Sequence, residues 1–231
     1  TVVNEKHALA AERAGVDALL VTGHEAAAHG GDVTSLVLIP AIRQITTLPI
    51  IATGGFGTGG GLLAALALGA DAVAMGTRFA ASQESPVHAT TKKMITEKSV
   101  SDTLYTANFD SMGCRIMKTP TAEAAAAKPL SLPRVLLKAL KAARETGQPL
   151  TVLVREVLRQ GFLPALKLAY FGAATLQIRK AIMDGDHVNG VQLIGQVQGL
   201  VKDVPAVADI MQRVLREADA ALSGVQLQAR A

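Results

Sequence analysis

The sequence predicts an α/β fold in which parallel strands alternate with helices. Three observations carry this. Apolar runs end in glycine turns at three places: Asp17 to Thr22 before Gly23, Pro49 to Thr53 before Gly54 and Gly55, and Ala72 to Met75 before Gly76. Strands buried on both faces of a parallel sheet read as continuous apolar runs of this kind. A helix stop followed by Asp and a strand then recurs, as Gly15-Val16-Asp17-Ala18 and Gly69-Ala70-Asp71-Ala72. Such a repeat is one βα unit used twice. Finally, 49% of residues are hydrophobic but only 3% aromatic, with 21 glycines. That composition suits an Ala, Leu, Val and Ile core between helices and tight turns.

The elements follow in order. Asn4 to Ala14 reads as a helix, capped by Asn4 and stopped by Gly15. Asp17 to Thr22 is the first strand, Leu36 to Ile45 a helix, Pro49 to Thr53 the second strand, Gly60 to Leu68 a helix and Ala72 to Met75 the third strand. Three strands do not close a barrel, which needs eight. The expectation is therefore the C-terminal portion of a (β/α)8 TIM barrel. The chain begins at Thr1 just before a helix, and we read it as part of a longer protein. The alternative is a complete small domain with an open three-stranded sheet. Beyond Phe79, Pro86 to Glu97 reads as a helix and Thr103 to Ala107 as a short strand. Helices are then expected from Thr121, over Leu132 to Glu145, Leu150 to Gln160, Pro164 to Met183, Val188 to Val201 and Pro205 to Leu222, with a turn at Asp184-Gly185-Asp186. The expected parts are the barrel units over 1–113, a mainly helical subdomain over 114–187, and helices returning to the barrel over 188–231.

Charge and cysteine content narrow the function classes. Twelve Lys/Arg against three Asp/Glu from Arg115 to Lys180 make that segment +9, leaving −5 for the rest of a +4 chain. The basic residues interleave with apolar ones at helical spacing, and stacking aromatics are scarce, so a solvated helical face is preferred to a nucleic-acid surface. The single cysteine, Cys114, excludes an intramolecular disulfide and reads as a small buried residue. No apolar stretch is long enough to span a bilayer and no secretory leader opens the chain, so the expectation is a cytoplasmic protein without membrane partners.

Two glycine turns at the ends of adjacent strands form a candidate phosphate clamp. Thr53-Gly54-Gly55 offers backbone N–H groups close to a helix start near Gly60, and Met75-Gly76-Thr77-Arg78-Phe79 offers more on the next strand. Glycine permits close approach of backbone to an anion. Arg78 would pair with the phosphate or with a carboxylate such as Glu84. On the same face, just past the first strand, His29 is a candidate general base. His24, Glu25 and His29 do not suit a metal: the i, i+5 spacing is poor and no third ligand is evident. His7, His88 and His187 receive no role.

Taken together, GHEAAAH, ATGG, ALALGADAVAMGTRF and Glu84-Ser85 resemble the nitronate monooxygenase family, formerly called 2-nitropropane dioxygenases. The resemblance covers Thr1 to about His88 and Asp184 to Leu222, including Gly195-Gln196-Val197-Gln198-Gly199, which is similar to a motif near the flavin. It implies an FMN-dependent barrel with a helical second domain, with His29 as catalytic base. It further implies FMN phosphate contacts from Gly54 and Gly55 and from Ala74, Met75, Gly76 and Thr77, with Thr22 and Ala27 approaching the flavin. Thr22 stands where Gln or Asp is common, and Ala27 and Ala28 where two glycines are. The implied reaction converts a nitronate and O2 to a carbonyl compound and nitrite. NAD(P)H:quinone reductases and flavin-dependent enoyl-acyl carrier protein reductases share the barrel and the histidine motif, so those activities remain as alternatives. So does a non-catalytic flavin-binding remnant, or a subunit completed by another chain in a homo-oligomer.

Overall fold

The computed structural model describes residues 1–27, 29–128, 131, 137 and 162–228. Three βα units come first. Helix α1 (Glu5–Arg13) starts where the Asn4 side chain accepts from the His7 N–H at 2.8 Å. Strand β1 (Leu19–Thr22), helix α2 (Ser35–Arg43), strand β2 (Ile50–Thr53), helix α3 (Gly59–Ala67), strand β3 (Ala72–Ala74) and the short helix α4 (Gly76–Ala80) follow. The strands pair in parallel in the order β1–β2–β3, and Val2 pairs beside Val21 on the outer side of β1. The sheet buries Leu19, Val21, Ile50 and Ala52 against Leu38, Ile39 and Ile42 of α2 and Ala65 of α3. Parallel strands covered by helices need no alternation of polar residues, so this half is the part the sequence describes best.

Beyond the sheet, α5 (Ala89–Glu97) leads into a hairpin. Strands β4 (Thr103–Thr106) and β5 (Cys114–Met117) pair antiparallel, with Thr103 opposite Met117 and Thr106 opposite Cys114. All four residues of β5 are buried. The expected boundary between residues 113 and 114 falls inside this hairpin, because β5 belongs with β4. Helix α6 (Pro120–Ala127) is capped by Thr119. Helix α7 (Phe162–Arg179) runs into a π turn, Lys180–Asp184, that stops at Gly185. Apart from Leu137, the helices expected over 132–145 and 150–160 lie outside the described residues.

The helix expected over Val188 to Val201 does not form. Val191 N–H donates to Gln177 O, Met117 N–H to Gln192 O, and Leu193 bridges Ile116 antiparallel. The chain here adds to the edge of the hairpin, and only Gln196–Leu200 closes into a 3-10 turn. Tertiary pairing satisfies the backbone groups that a helix would otherwise satisfy. Helix α8 (Val207–Gln228) returns to the sheet layer and buries Ile210 and Val214 beside α3. None of the described helices is long and apolar enough to cross a membrane.

Candidate active site

The parallel register brings Thr22 beside Thr53 and Thr53 beside Ala74. The turns that follow therefore leave one edge of the sheet together. Gly54 and Gly55 have φ of +93° and +86°, a region side chains rarely adopt. A Cβ on Gly54 would sit 2.9 Å from Gly23 O and 3.1 Å from Ala26 Cβ, and one on Gly55 would sit 3.3 Å from Glu25 Cβ. The first demand on these glycines is thus close packing against the loop over 23–31. Ser35 ties the two turns: its Oγ lies 2.7 Å from Gly54 O, and its N–H donates to the Glu25 carboxylate at 3.0 Å.

Gly76 differs. It is exposed, and a Cβ built on it meets no heavy atom within 4 Å. It opens α4, and first-turn N–H groups have no partner within a helix. Met75 and Thr77 on either side are buried, and the Thr77 Oγ1 accepts from Gly195 N–H at 3.2 Å. Thr22 ends β1 with its hydroxyl buried and without a hydrogen-bond partner among the described residues. Ala74 and Ala27 are half-buried. Gly195 and Gln196 close the group from the far end of the chain, with Gln196 N–H donating to Glu25 O at 3.0 Å. An open backbone approach after β3 and an orphaned buried hydroxyl at the end of β1 share this sheet edge and fit a polar ligand there.

Two expected anion contacts are already taken by protein groups. At the start of α3, Gly59 N–H donates to Glu217 Oε2 at 2.8 Å and Gly61 N–H to Thr58 Oγ1 at 3.2 Å. That helix end is capped from within. Arg78 meets neither a free anion position nor Glu84. Its guanidinium bonds Asp203 Oδ1 at 3.0 Å, Asp203 O at 2.6 Å and Ala81 O at 3.0 Å, while Glu84 accepts from Val207 N–H at the start of α8. Burial draws the Arg78 pKa below its ordinary value against the opposing Asp203, but a guanidinium stays charged at any working pH.

The His29 imidazole stands on the loop after β1. Its Nε2 lies 2.7 Å from Oδ2 of Asp110, whose side chain is 1% exposed, while the His29 side chain is 35% exposed. The Phe171 ring of α7 lies 6.4 Å from it, centre to centre. The β4–β5 hairpin holds the same loop at two further points. Tyr105 donates its hydroxyl proton to Gly30 O at 2.8 Å, and Arg115 donates to His24 O at 2.9 Å. His24 turns away from His29: its Nδ1 bonds Gly31 O, and its ring packs on Tyr105. Ala28 lies outside the described residues. Burial, then the Asp110 charge, pushes the Cys114 thiol up to about 12, so it stays protonated and inert.

Asp110 is the site residue that sequence reasoning misses. It lies 81 residues from His29, in a turn between two short strands. The available signal is weak: an Asp-Ser pair followed by Met-Gly and the apolar run at Cys114 marks a hairpin turn, but nothing in it points to His29.

The nitronate monooxygenase family model matches residues 1–217. The chain belongs to the nitronate monooxygenase family. This is a family of TIM-barrel flavoenzymes that act as oxidoreductases. The chain is 32% identical over 218 residues to the (3aS,4S,5R,7aS)-5-hydroxy-7a-methyl-1-oxo-octahydro-1H-indene-4-carboxyl-CoA dehydrogenase of Rhodococcus jostii, covering 92% of this chain and 62% of the relative. It is 35% identical over 119 residues to a probable nitronate monooxygenase of Staphylococcus aureus, covering 47% of this chain and 34% of that protein. Among solved structures, FabK from Thermotoga maritima superposes with a TM-score of 0.74 at 30% identity, over 97% of this chain and 61% of FabK. A nitroalkane oxidase from Streptomyces ansochromogenes gives a TM-score of 0.72 at 22% identity, over 97% of this chain and 58% of the oxidase, a likeness of fold. The chain spans about three fifths of the length of the curated dehydrogenase.

Proposed function

We propose that this chain carries the phosphate-binding turns and the base of an FMN-dependent nitronate monooxygenase. The observation that supports this most is the His29 imidazole, on a loop leaving the same sheet edge as the open Gly76 turn. Gly54, Gly55, Ala74, Met75, Gly76 and Thr77 would hold the FMN phosphate through backbone N–H groups, with Thr22 and Ala27 on the ring side. Glycine at position 76 leaves room for an anion to reach the backbone. The buried Thr22 hydroxyl, orphaned among the described residues, would gain a partner.

When bound, FMN would supply the redox chemistry that links a nitronate and O2 to a carbonyl compound and nitrite. The protein's own task is proton handling. Given a nitroalkane, His29 takes the proton α to the nitro group. The C–H bond breaks, its electron pair stays on the substrate as the nitronate, and the imidazole carries the proton until it returns to solvent. A cytoplasmic setting and assembly as a homo-oligomer belong to the same proposal.

A second reading rests on the relatives matched over most of this chain. The dehydrogenase has a CoA ester in its name, and FabK superposes at 30% identity. These favour a reductase that takes electrons from NADH or NADPH and delivers them to an enoyl thioester; a quinone is the other acceptor in this reading. Anaerobic mixing of the full-length, FMN-loaded protein separates the two. Bleaching of the flavin by an alkyl nitronate but not by NADH or NADPH is expected. Bleaching by reduced nicotinamide alone would move the protein to the reductases.

A further inference from the structure

We infer that Asp110 is the positioning residue for His29: its buried carboxylate holds the imidazole as the Nε2–H tautomer and leaves Nδ1 as the atom that accepts the proton. The inference rests on the reading of His29 as the base, and adds which nitrogen acts and what sets it.

The geometry carries the assignment. An ionised carboxylate only accepts hydrogen bonds, so the 2.7 Å contact between His29 Nε2 and Asp110 Oδ2 requires the proton on Nε2. In a neutral ring the lone pair then lies on Nδ1. Asp110 Oδ1 is occupied separately, accepting from Met112 N–H at 3.1 Å. A carboxylate 1% exposed is costly unless it is paired and hydrogen-bonded, and among the described residues its ion-pair partner is the His29 ring. The His29 side chain, by contrast, keeps about a third of its surface open. One edge of the ring is thus tied to buried charge while the remainder stays accessible.

The backbone around Asp110 shows the same investment. Ser111, next in the chain, has φ of +75°, the one non-glycine residue with positive φ among those described. Such conformations persist where the surroundings over-determine them, and they cluster at functional sites. Here the surroundings are the hairpin and its two other attachments to the histidine loop, Tyr105 to Gly30 and Arg115 to His24. With the Asp110–His29 contact, these tie the hairpin to the histidine loop at three points. When Nδ1 takes the substrate proton, the carboxylate already faces the imidazolium and stabilises the charge without rearrangement.

The test uses full-length, flavin-loaded protein labelled with ring-15N histidine. Two-bond 1H–15N spectra report each tautomer, and the His29 signal is the one lost in His29→Ala. The expected wild-type form is Nε2–H. In Asp110→Asn the amide can donate to Nε2, so the ring should move toward Nδ1–H. Turnover of a nitroalkane should then fall on the order of 10²- to 10⁴-fold in kcat with little change in KM. Turnover of a pre-ionised nitronate, which needs no base, should be retained, and a merely structural role would not separate the two substrates. A wild-type ring in the Nδ1–H form, or a tautomer unchanged by Asp110→Asn, overturns the inference. Should Asp110→Asn lose its flavin, the wild-type spectrum alone decides. Full nitroalkane turnover by His29→Ala would instead remove the base reading, whatever the tautomer.

Discussion

Gly54 and Gly76 lie in neighbouring turns, but the structure gives them different duties that substitution should separate. At Gly76 an added Cβ meets open space, and the residue begins a helix. Gly76→Ala should therefore leave the apo-protein as stable as wild type, or more so by about 0.4–1 kcal/mol through lost unfolded-state entropy. If an FMN phosphate packs against that backbone, the same methyl group overpacks the holo form by about 1–3 kcal/mol. That is on the order of 5- to 150-fold in Kd, and Gly76→Val should lose more. At Gly54 the φ of +93° and a Cβ position 2.9 Å from Gly23 O make the cost intrinsic to the fold. Backbone strain and overpacking together put Gly54→Ala at about 2–5 kcal/mol, a large share of a domain's stability. Fluorescence titration of FMN into each apo-protein, beside urea unfolding of the same samples, measures both quantities. A Gly76→Ala protein that binds FMN as tightly as wild type would refute the clamp at this position. A stable Gly54→Ala protein would refute the packing account.

Three further predictions follow from other contacts. His29→Ala should keep its flavin and lose at least ~10²-fold in nitroalkane turnover, read by steady-state kinetics and the flavin absorbance. Glu217→Ala should remove the acceptor for Gly59 N–H at the start of α3 and cost about 0.5–2 kcal/mol, seen as a lower Tm with unchanged flavin content. Burial raises the Asp203 pKa, but hydrogen bonds from Arg213 and Arg78 outweigh it and hold the carboxyl below its usual range. A depressed folded-state value means stability that is present above the ordinary carboxylate value near ~3.9 and is lost as pH falls through the folded one. Wild type should thus lose stability in that acid window, and Asp203→Asn should lose less there; matching acid-unfolding curves would remove Asp203 from the linkage.

The sequence by itself determined the sheet half of the molecule. Apolar runs, glycine stops and the repeated Gly-x-Asp-Ala units are local signals, and they suffice to place these strands and their helices. The same signals brought His29, Gly54, Gly55 and Gly76 to one edge, because parallel neighbours end on one side. What only the tertiary structure decided depends on partners distant in the chain. Residues 188–194 fall in a segment expected to be helical, yet Gln192 and Leu193 pair with the free edge of β5 and Val191 with Gln177 of α7. Arg78 found Asp203, 125 residues away, in place of Glu84. The start of α3 was filled by Glu217 from α8. Asp110 reached His29 because a hairpin turn carried it there. A side chain's spacing along the chain reports its own helix or strand; which charge it meets across the fold is set by packing, and in this protein packing sets what faces the histidine.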